Sequence, residues 1–212
     1  MADAAHLLVG IKKVLDNLKS VSSRVSKPVE IIEFFGYFCP YCNFLEPILE
    51  EWLSKNSNSI FFRRIPVDFS ISSNQQYLDS PYTPQKKLYF TLRAMGKLQE
   101  INKRVFRAIH VLNQKLDTDE AIISFALKQG LEESEFLDIY RSFAVKVEVL
   151  HSTELQKAYK VDSVPMLVIN GRYIISPPIF KATQNSNNSY ASLKSMLKTM
   201  DTLIIEILSR QD

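Results

Sequence analysis

The run Val29-Glu30-Ile31-Ile32-Glu33-Phe34-Phe35 is almost continuously apolar and rich in β-branched and aromatic residues, the pattern of a buried central strand. The spacing then changes. Phe44, Leu45, Ile48, Leu49, Trp52 and Leu53 recur at helical intervals, which predicts a helix from Pro40 to about Lys55. Pro47 falls inside it, where a missing N–H and a clash with the preceding turn predict a kink. Asn56-Ser57-Asn58-Ser59 reads as a turn, and Ile60 to Val67 as a second strand. Strand, helix and strand in such close succession form a βαβ unit, so the two strands are expected to run parallel with a right-handed crossover.

From about Ser72 to Leu150 nearly every segment carries helical periodicity. Helices are predicted over 84–95, 100–110, 118–129 and 134 to about 150, with a short one over 153–159. Thr118-Asp119-Glu120-Ala121 and Glu132-Glu133-Ser134 place caps and acids where helices begin, and Gly96 and Gly130 stand where helices should stop. Strand patterning returns in Met166 to Ile169 and Arg172 to Ile175, joined by Asn170-Gly171, the strongest short-range hairpin signal. Pro177-Pro178 ends the hairpin and Gln184 to Ser189 reads as a polar loop. Ala191 to Leu208 closes the chain as an amphipathic helix, with Leu193, Leu197, Met200, Ile204 and Leu208 on one stripe. Residues 1–28 fit either a helical stripe (Leu7, Leu8, Ile11, Val14, Leu15, Leu18) or a short edge strand, followed by a polar connector. The order is βαβ, a helical block, then ββα, with no internal repeat. The expected division is 1–71, 72–149 and 150–212.

At 212 residues, 46% of them hydrophobic, the chain can bury a core without disulfide staples. A bridge is therefore not needed for folding, which turns attention to what its two cysteines do chemically. A formal charge of +3 with no block of like charges gives no reason to expect a nucleic-acid partner. No apolar run reaches the roughly 18 to 20 residues that would span a bilayer. Asp3, Lys12 and Lys13 interrupt the N-terminal segment, so no signal peptide is read there. A cytosolic protein and a mature exported one both fit.

The cysteines stand in Cys39-Pro40-Tyr41-Cys42, where the first strand hands over to the first turn of a helix. Unpaired backbone N–H groups and the positive end of the helix dipole favour a thiolate at that point. Cys39 takes the cap position, where its sulfur can accept from the amides of Tyr41 and Cys42. Pro40 has no amide hydrogen to lose and suits the first helical position. A zinc site needs four ligands. Beyond the cysteines it would draw on His6, His110 and His151, none near another at ligand spacing, so no metal site is expected. An inert structural disulfide is the remaining alternative to redox chemistry. Glu33 alternates with Ile31 and Phe35 on a strand read as buried on both faces, and buried acids are rare unless paired. Arg64 on the next strand is its candidate partner; a solvent-facing glutamate without a role is the alternative.

Three stretches carry a family resemblance: Glu33 to Cys42, Val164-Pro165, and Val168-Ile169-Asn170-Gly171-Arg172-Tyr173. Together with βαβ and ββα halves around a helical insertion, they resemble the DsbA family of thiol–disulfide oxidoreductases. The resemblance implies an α/β protein, a thioredoxin fold with an inserted all-helical domain. It implies Cys39 as the attacking thiol, Cys42 as its partner in a redox-active disulfide, and no metal or organic cofactor. Glu33 beneath the site would move protons for Cys42. Pro165 would be a cis-proline opposite the cysteines, leaving the backbone of Val164 free to pair with a substrate peptide. Tyr41 stands where the family commonly has histidine, so the thiolate lacks a nearby positive charge; Cys-Pro-Tyr-Cys is familiar from glutaredoxins. The implied function is disulfide donation to reduced exported proteins in the periplasm, by a monomer re-oxidised by a DsbB-like membrane partner. A thioredoxin- or glutaredoxin-like reductase, an isomerase, and a peptide-binding holdase with a structural disulfide are the competing readings. Tyr37, Phe38, Tyr41, Met166, Tyr173 and Phe180 are candidates for an apolar surface around the cysteines. Tyr89, Phe90, Phe106, Phe125, Phe136, Tyr140 and Phe143 are expected to pack the core of the insertion.

Overall fold

A computed structural model describes residues 28–69, 80–176 and 186–210. Residues 1–27, the start of the helical block at Ser72, Pro177-Pro178 and Phe180 lie outside the described residues.

Strand β1 (Val29–Phe35) is followed by helix α1 (Pro40–Asn56) and strand β2 (Ile60–Pro66). β1 and β2 pair in parallel, Val29 opposite Ile60 and Phe35 opposite Pro66. The hairpin strands β3 (Met166–Ile169) and β4 (Tyr173–Ile175) complete a mixed sheet of order β2-β1-β3-β4, with β3 antiparallel to β1. Asn170 and Gly171 hold φ of 48° and 65°, the left-handed pair that a two-residue hairpin turn of this hand requires.

The alternation along β1 divides the core. Val29 and Ile31 face Leu45, Leu49 and Trp52 of α1 and the closing helix α7 (Ser186–Ser209), which contributes Leu193, Met196, Leu197, Met200 and Ile204. Ile32 and Phe34 face the other way, into the helical block. That block comprises α2 (Thr83–Ala94), α3 (Leu98–His110), α4 (Asp119–Lys128), α5 (Glu133–Tyr140) and α6 (Phe143–Ala158). Tyr89, Phe90, Phe106, Phe125, Phe136 and Tyr140 are buried there.

Several boundaries differ from the sequence expectation. The run from Ser134 to about Leu150 is two helices, because Ser142 caps a new one by accepting the Val145 N–H. Once begun, α6 continues to Ala158 and absorbs the separate helix expected at 153–159; the junction expected between 149 and 150 falls inside it. Phe143, at the first position of α6, is 79% exposed and packs no core. α7 begins at Ser186, inside the stretch read as a polar loop; serine and asparagine suit a loop and the start of a helix equally. α5 is capped by Glu132, whose carboxylate accepts the N–H groups of Ser134 and Glu135. α1 runs on through Pro47. Gly96 and Gly130 take positive φ just past the ends of α2 and α4.

Candidate active site

The turn between β1 and α1 is shaped by two residues. A Cβ on Gly36 would lie 2.4 Å from the Phe38 ring, so glycine is what lets that ring fold back over the chain. The Gly36 carbonyl accepts the Cys39 N–H at 3.0 Å and closes the turn. Phe38 packs 4.1 Å from Tyr82 between ring centroids and meets Phe69, 40% exposed, edge-on.

Cys39 is the N-cap of the 17-residue α1, with extended backbone and Pro40 behind it at the first helical position. No acidic side chain lies in the first turn to offset the dipole. The Cys42 N–H donates to the Cys39 sulfur at 3.4 Å, and the Cys39 thiol donates to the Val164 carbonyl oxygen at 3.3 Å. The Val164–Pro165 bond is cis, and the strand it leads into lies beside β1. Both cysteines are free thiols in this structure and both are buried. Tyr41, between them, is half-buried.

The two thiols are driven in opposite directions. Hydrogen bonding from the Cys42 thiol does most to hold Cys39 below its ordinary value; the amides of Cys42 and Tyr41 add to this, and burial and the Glu33 charge oppose it. Burial, then the bond to Cys39, push the Cys42 thiol well above its ordinary value. In the reduced pair, the negative charge belongs on the cap sulfur.

Behind the cysteines lies a buried polar network, which sequence reasoning saw only in part. Glu33 is 2% exposed and faces Arg64 across the parallel strands, with Arg64 Nε 2.5 Å from Glu33 Oε2. The same guanidinium meets Glu46 of α1 at 2.6 Å. Glu46 Oε1 accepts from Asn102 Nδ2 at 2.6 Å, and Asn102 Oδ1 accepts from the Tyr37 hydroxyl at 2.7 Å. Burial pushes the Glu33 carboxyl up to about 7; Arg64 opposes the rise and the neighbouring Glu46 reinforces it. Arg64 and Glu46 also line a groove of about 1040 Å³ between α1, β2, α2 and α3, which brings solvent to that end of the network.

Glu46 and Asn102 carried no signal in the sequence. Glu46 reads as one of three acids on a polar helix face, with Glu50 and Glu51, and only the packing of α3 against α1 buries it. Two of the proposed surface residues are placed differently: Tyr37 and Met166 are 1% and 4% exposed and belong to the core, because the block covers that side of the turn. Phe38, Tyr41 and Tyr173 remain partly exposed. Among the described residues no group of three or more His, Cys, Asp or Glu side chains is placed to hold a metal ion. Among them, too, no helix is long and apolar enough to cross a membrane.

A Cys-X-X-Cys pair capping a helix, beside a cis-proline, in a sheet built from βαβ and ββα halves, defines a thiol–disulfide oxidoreductase of thioredoxin type. The comparisons place it more closely. The sequence matches the DSBA-like thioredoxin domain family over residues 30–184. The thiol:disulfide interchange protein DsbA of Burkholderia cepacia is 36% identical over 165 residues, 78% of this chain and 73% of that protein. DsbA of Bordetella pertussis is 30% identical over 178 residues, 84% of this chain and 76% of that protein. Among solved structures, Pseudomonas aeruginosa DsbA superposes with a TM-score of 0.69 at 28% identity, covering 86% of this chain and 85% of that one. The chain belongs to the DsbA family and is a thiol:disulfide oxidoreductase.

Proposed function

We propose that the enzyme works as a disulfide donor, passing the Cys39–Cys42 bond to reduced proteins in the periplasm. The observation that carries this is the position of the Cys39 sulfur as the cap of a helix with no acid in its first turn, opposed to a buried Cys42. A low thiol value at Cys39 stabilises the reduced pair, so its disulfide is readily given up.

In the first step a substrate thiolate attacks the Cys39 sulfur and the Cys39–Cys42 bond breaks. Cys42 leaves with the electron pair and takes a proton, for which the Glu33 carboxyl is the donor behind it. A second substrate thiolate then attacks the substrate sulfur of the mixed disulfide. The substrate disulfide forms and Cys39 leaves as a thiolate, a good leaving group at the cap position. Two electrons pass from substrate to the cysteine pair. The chain's own sulfurs carry the whole exchange, so no metal or organic cofactor enters it.

The Val164 carbonyl beside Cys39, with Pro165 following, would pair with the backbone of an extended substrate segment. Tyr41 and Phe38 would supply its apolar contacts. A DsbB-like membrane oxidase would restore the disulfide, and the enzyme would act as a monomer. A second reading is favoured by Tyr41, which brings no positive charge to the thiolate: a reductase that works in the opposite direction.

Stoichiometric mixing separates the two. Oxidised protein incubated with a reduced two-cysteine peptide should leave one peptide disulfide per Cys39–Cys42 pair consumed. A reduced Cys42→Ser variant given a one-cysteine peptide as its mixed disulfide with glutathione should release glutathione and stay trapped on the peptide through Cys39. A peptide that stays reduced, together with rapid reduction of its disulfide form by the dithiol protein, would establish the reductase instead.

A further inference from the structure

Helix α3 reaches the active-site turn twice, and both times it holds Tyr37. Asn102 accepts the Tyr37 hydroxyl at 2.7 Å. Two helical turns further on, His110 Nε2 lies 2.8 Å from the Tyr37 carbonyl oxygen. A carbonyl oxygen has lone pairs and no proton to give, so Nε2 carries the hydrogen and donates. Phe106, one turn before His110, stacks on the imidazole at 24° between planes and meets the Tyr37 ring edge-on at 5.0 Å. The two ends of Tyr37 and its ring are therefore fixed by one helix, which belongs to the insertion.

The carbonyl contact bears most directly on the cysteine. It fixes the peptide plane joining Tyr37 to Phe38, one residue before Cys39. On its other side Tyr37 follows Gly36, whose carbonyl holds the Cys39 N–H. The turn is thus anchored immediately before the sulfur.

Anchoring matters here because of how the thiolate is held. Tyr41 supplies no charge, and the backbone donors are the amides of Cys42, at 3.4 Å, and Tyr41. The attraction of a charge to a dipole depends on angle and falls faster with distance than that between two charges. A small tilt of the turn therefore changes it.

We propose that His110 is a positioning residue for Cys39, holding the turn through the Tyr37 carbonyl so that the cap sulfur stays on the amides of α1. The proposal rests on Cys39 being the attacking thiol, and the test separates the two claims.

The test is thiolate absorbance against pH in the reduced protein, together with the equilibrium constant for disulfide formation in a glutathione buffer. A wild-type thiolate transition below the ordinary thiol range, abolished by Cys39→Ser, establishes the underlying reading; its absence overturns that reading before any His110 variant is considered. His110→Phe keeps a ring to stack on Phe106 and removes the donor. It should move the Cys39 transition upward and raise the equilibrium constant toward the disulfide about three- to tenfold, the scale of one hydrogen bond. His110→Gln, which offers an amide N–H, should recover a large part of the shift. His110→Ala carries the same expectation as His110→Phe should the latter not fold. Variants that titrate and equilibrate like wild type, or a His110→Gln shift as large as that of His110→Phe, would overturn the proposal.

Discussion

Glu33 and Arg64 stand opposite each other in the register of β1 and β2, with Arg64 Nε 2.5 Å from Glu33 Oε2, Glu33 buried and Arg64 partly so. Sheet register alone sets this pairing: a slip of one residue would turn Glu33 toward the other face of the sheet. Arg64 also serves Glu46, so two buried carboxyls share one guanidinium. A cluster with more acid than base, with Glu33 at its buried end, favours retaining a proton there.

That proton gives a stability signature. Glu33 is pushed up to about 7 from an ordinary 4.5, so the folded protein holds a proton that the unfolded chain has lost between those values. The stabilisation is full below pH 4.5 and is lost as pH rises through 7. From the size of the shift it is on the order of 3 kcal/mol. Urea unfolding from pH 4.5 to 8 isolates it in a Cys39→Ser/Cys42→Ser background, with and without Glu33→Gln, because the Glu33 charge also acts on both thiols. The protein that keeps Glu33 should lose about that much relative to the one with Gln across the window. Curves that stay parallel contradict it.

Arg64→Met should destabilise the fold by about 3 to 5 kcal/mol at pH 8, because it leaves Glu33 and Glu46 buried without their shared cation. At pH 5 the loss should be smaller, since the carboxyl group of Glu33 is then neutral. Denaturant midpoints at the two pH values check this.

How much of this was legible depended on whether the cause was local. The apolar run of β1, the helical spacing after Cys42 and the Asn170-Gly171 turn are short-range signals, and the structure follows them. The Glu33–Arg64 pair was readable because a βαβ unit puts those strands side by side. Glu46 and Asn102 were not, since their burial comes from the docking of α3 on α1, which no local pattern records. The break at Ser142 had a cap to announce it, but apolar periodicity on both sides concealed the change of helix. Phe143 shows the converse: an aromatic residue whose helical spacing suits a core stands in solvent at the start of α6.

Tyr41→His would place a cation where this chain has a phenol. The Cys39 transition should move down, and the glutathione equilibrium should shift about tenfold toward the dithiol, as one nearby charge is worth roughly one pH unit or more. Thiolate absorbance and equilibrium redox titration read both changes. An unchanged equilibrium would mean that charge at this position has no hold on the sulfur.

The packing of the insertion is tested by two phenylalanines. Phe136→Ala, at a fully buried position, should cost about 3 to 5 kcal/mol. Phe143→Ala, at a position 79% exposed, should stay within about 0.5 kcal/mol of wild type. Thermal or urea unfolding distinguishes them at once.

The most direct measurement is the equilibrium potential of the Cys39–Cys42 pair in a glutathione buffer. Disulfide donation predicts a value around −120 to −180 mV, the range of oxidising members of this chemistry. A value near −270 mV, that of roughly thioredoxin strength, would make the enzyme a reductase and contradict the account.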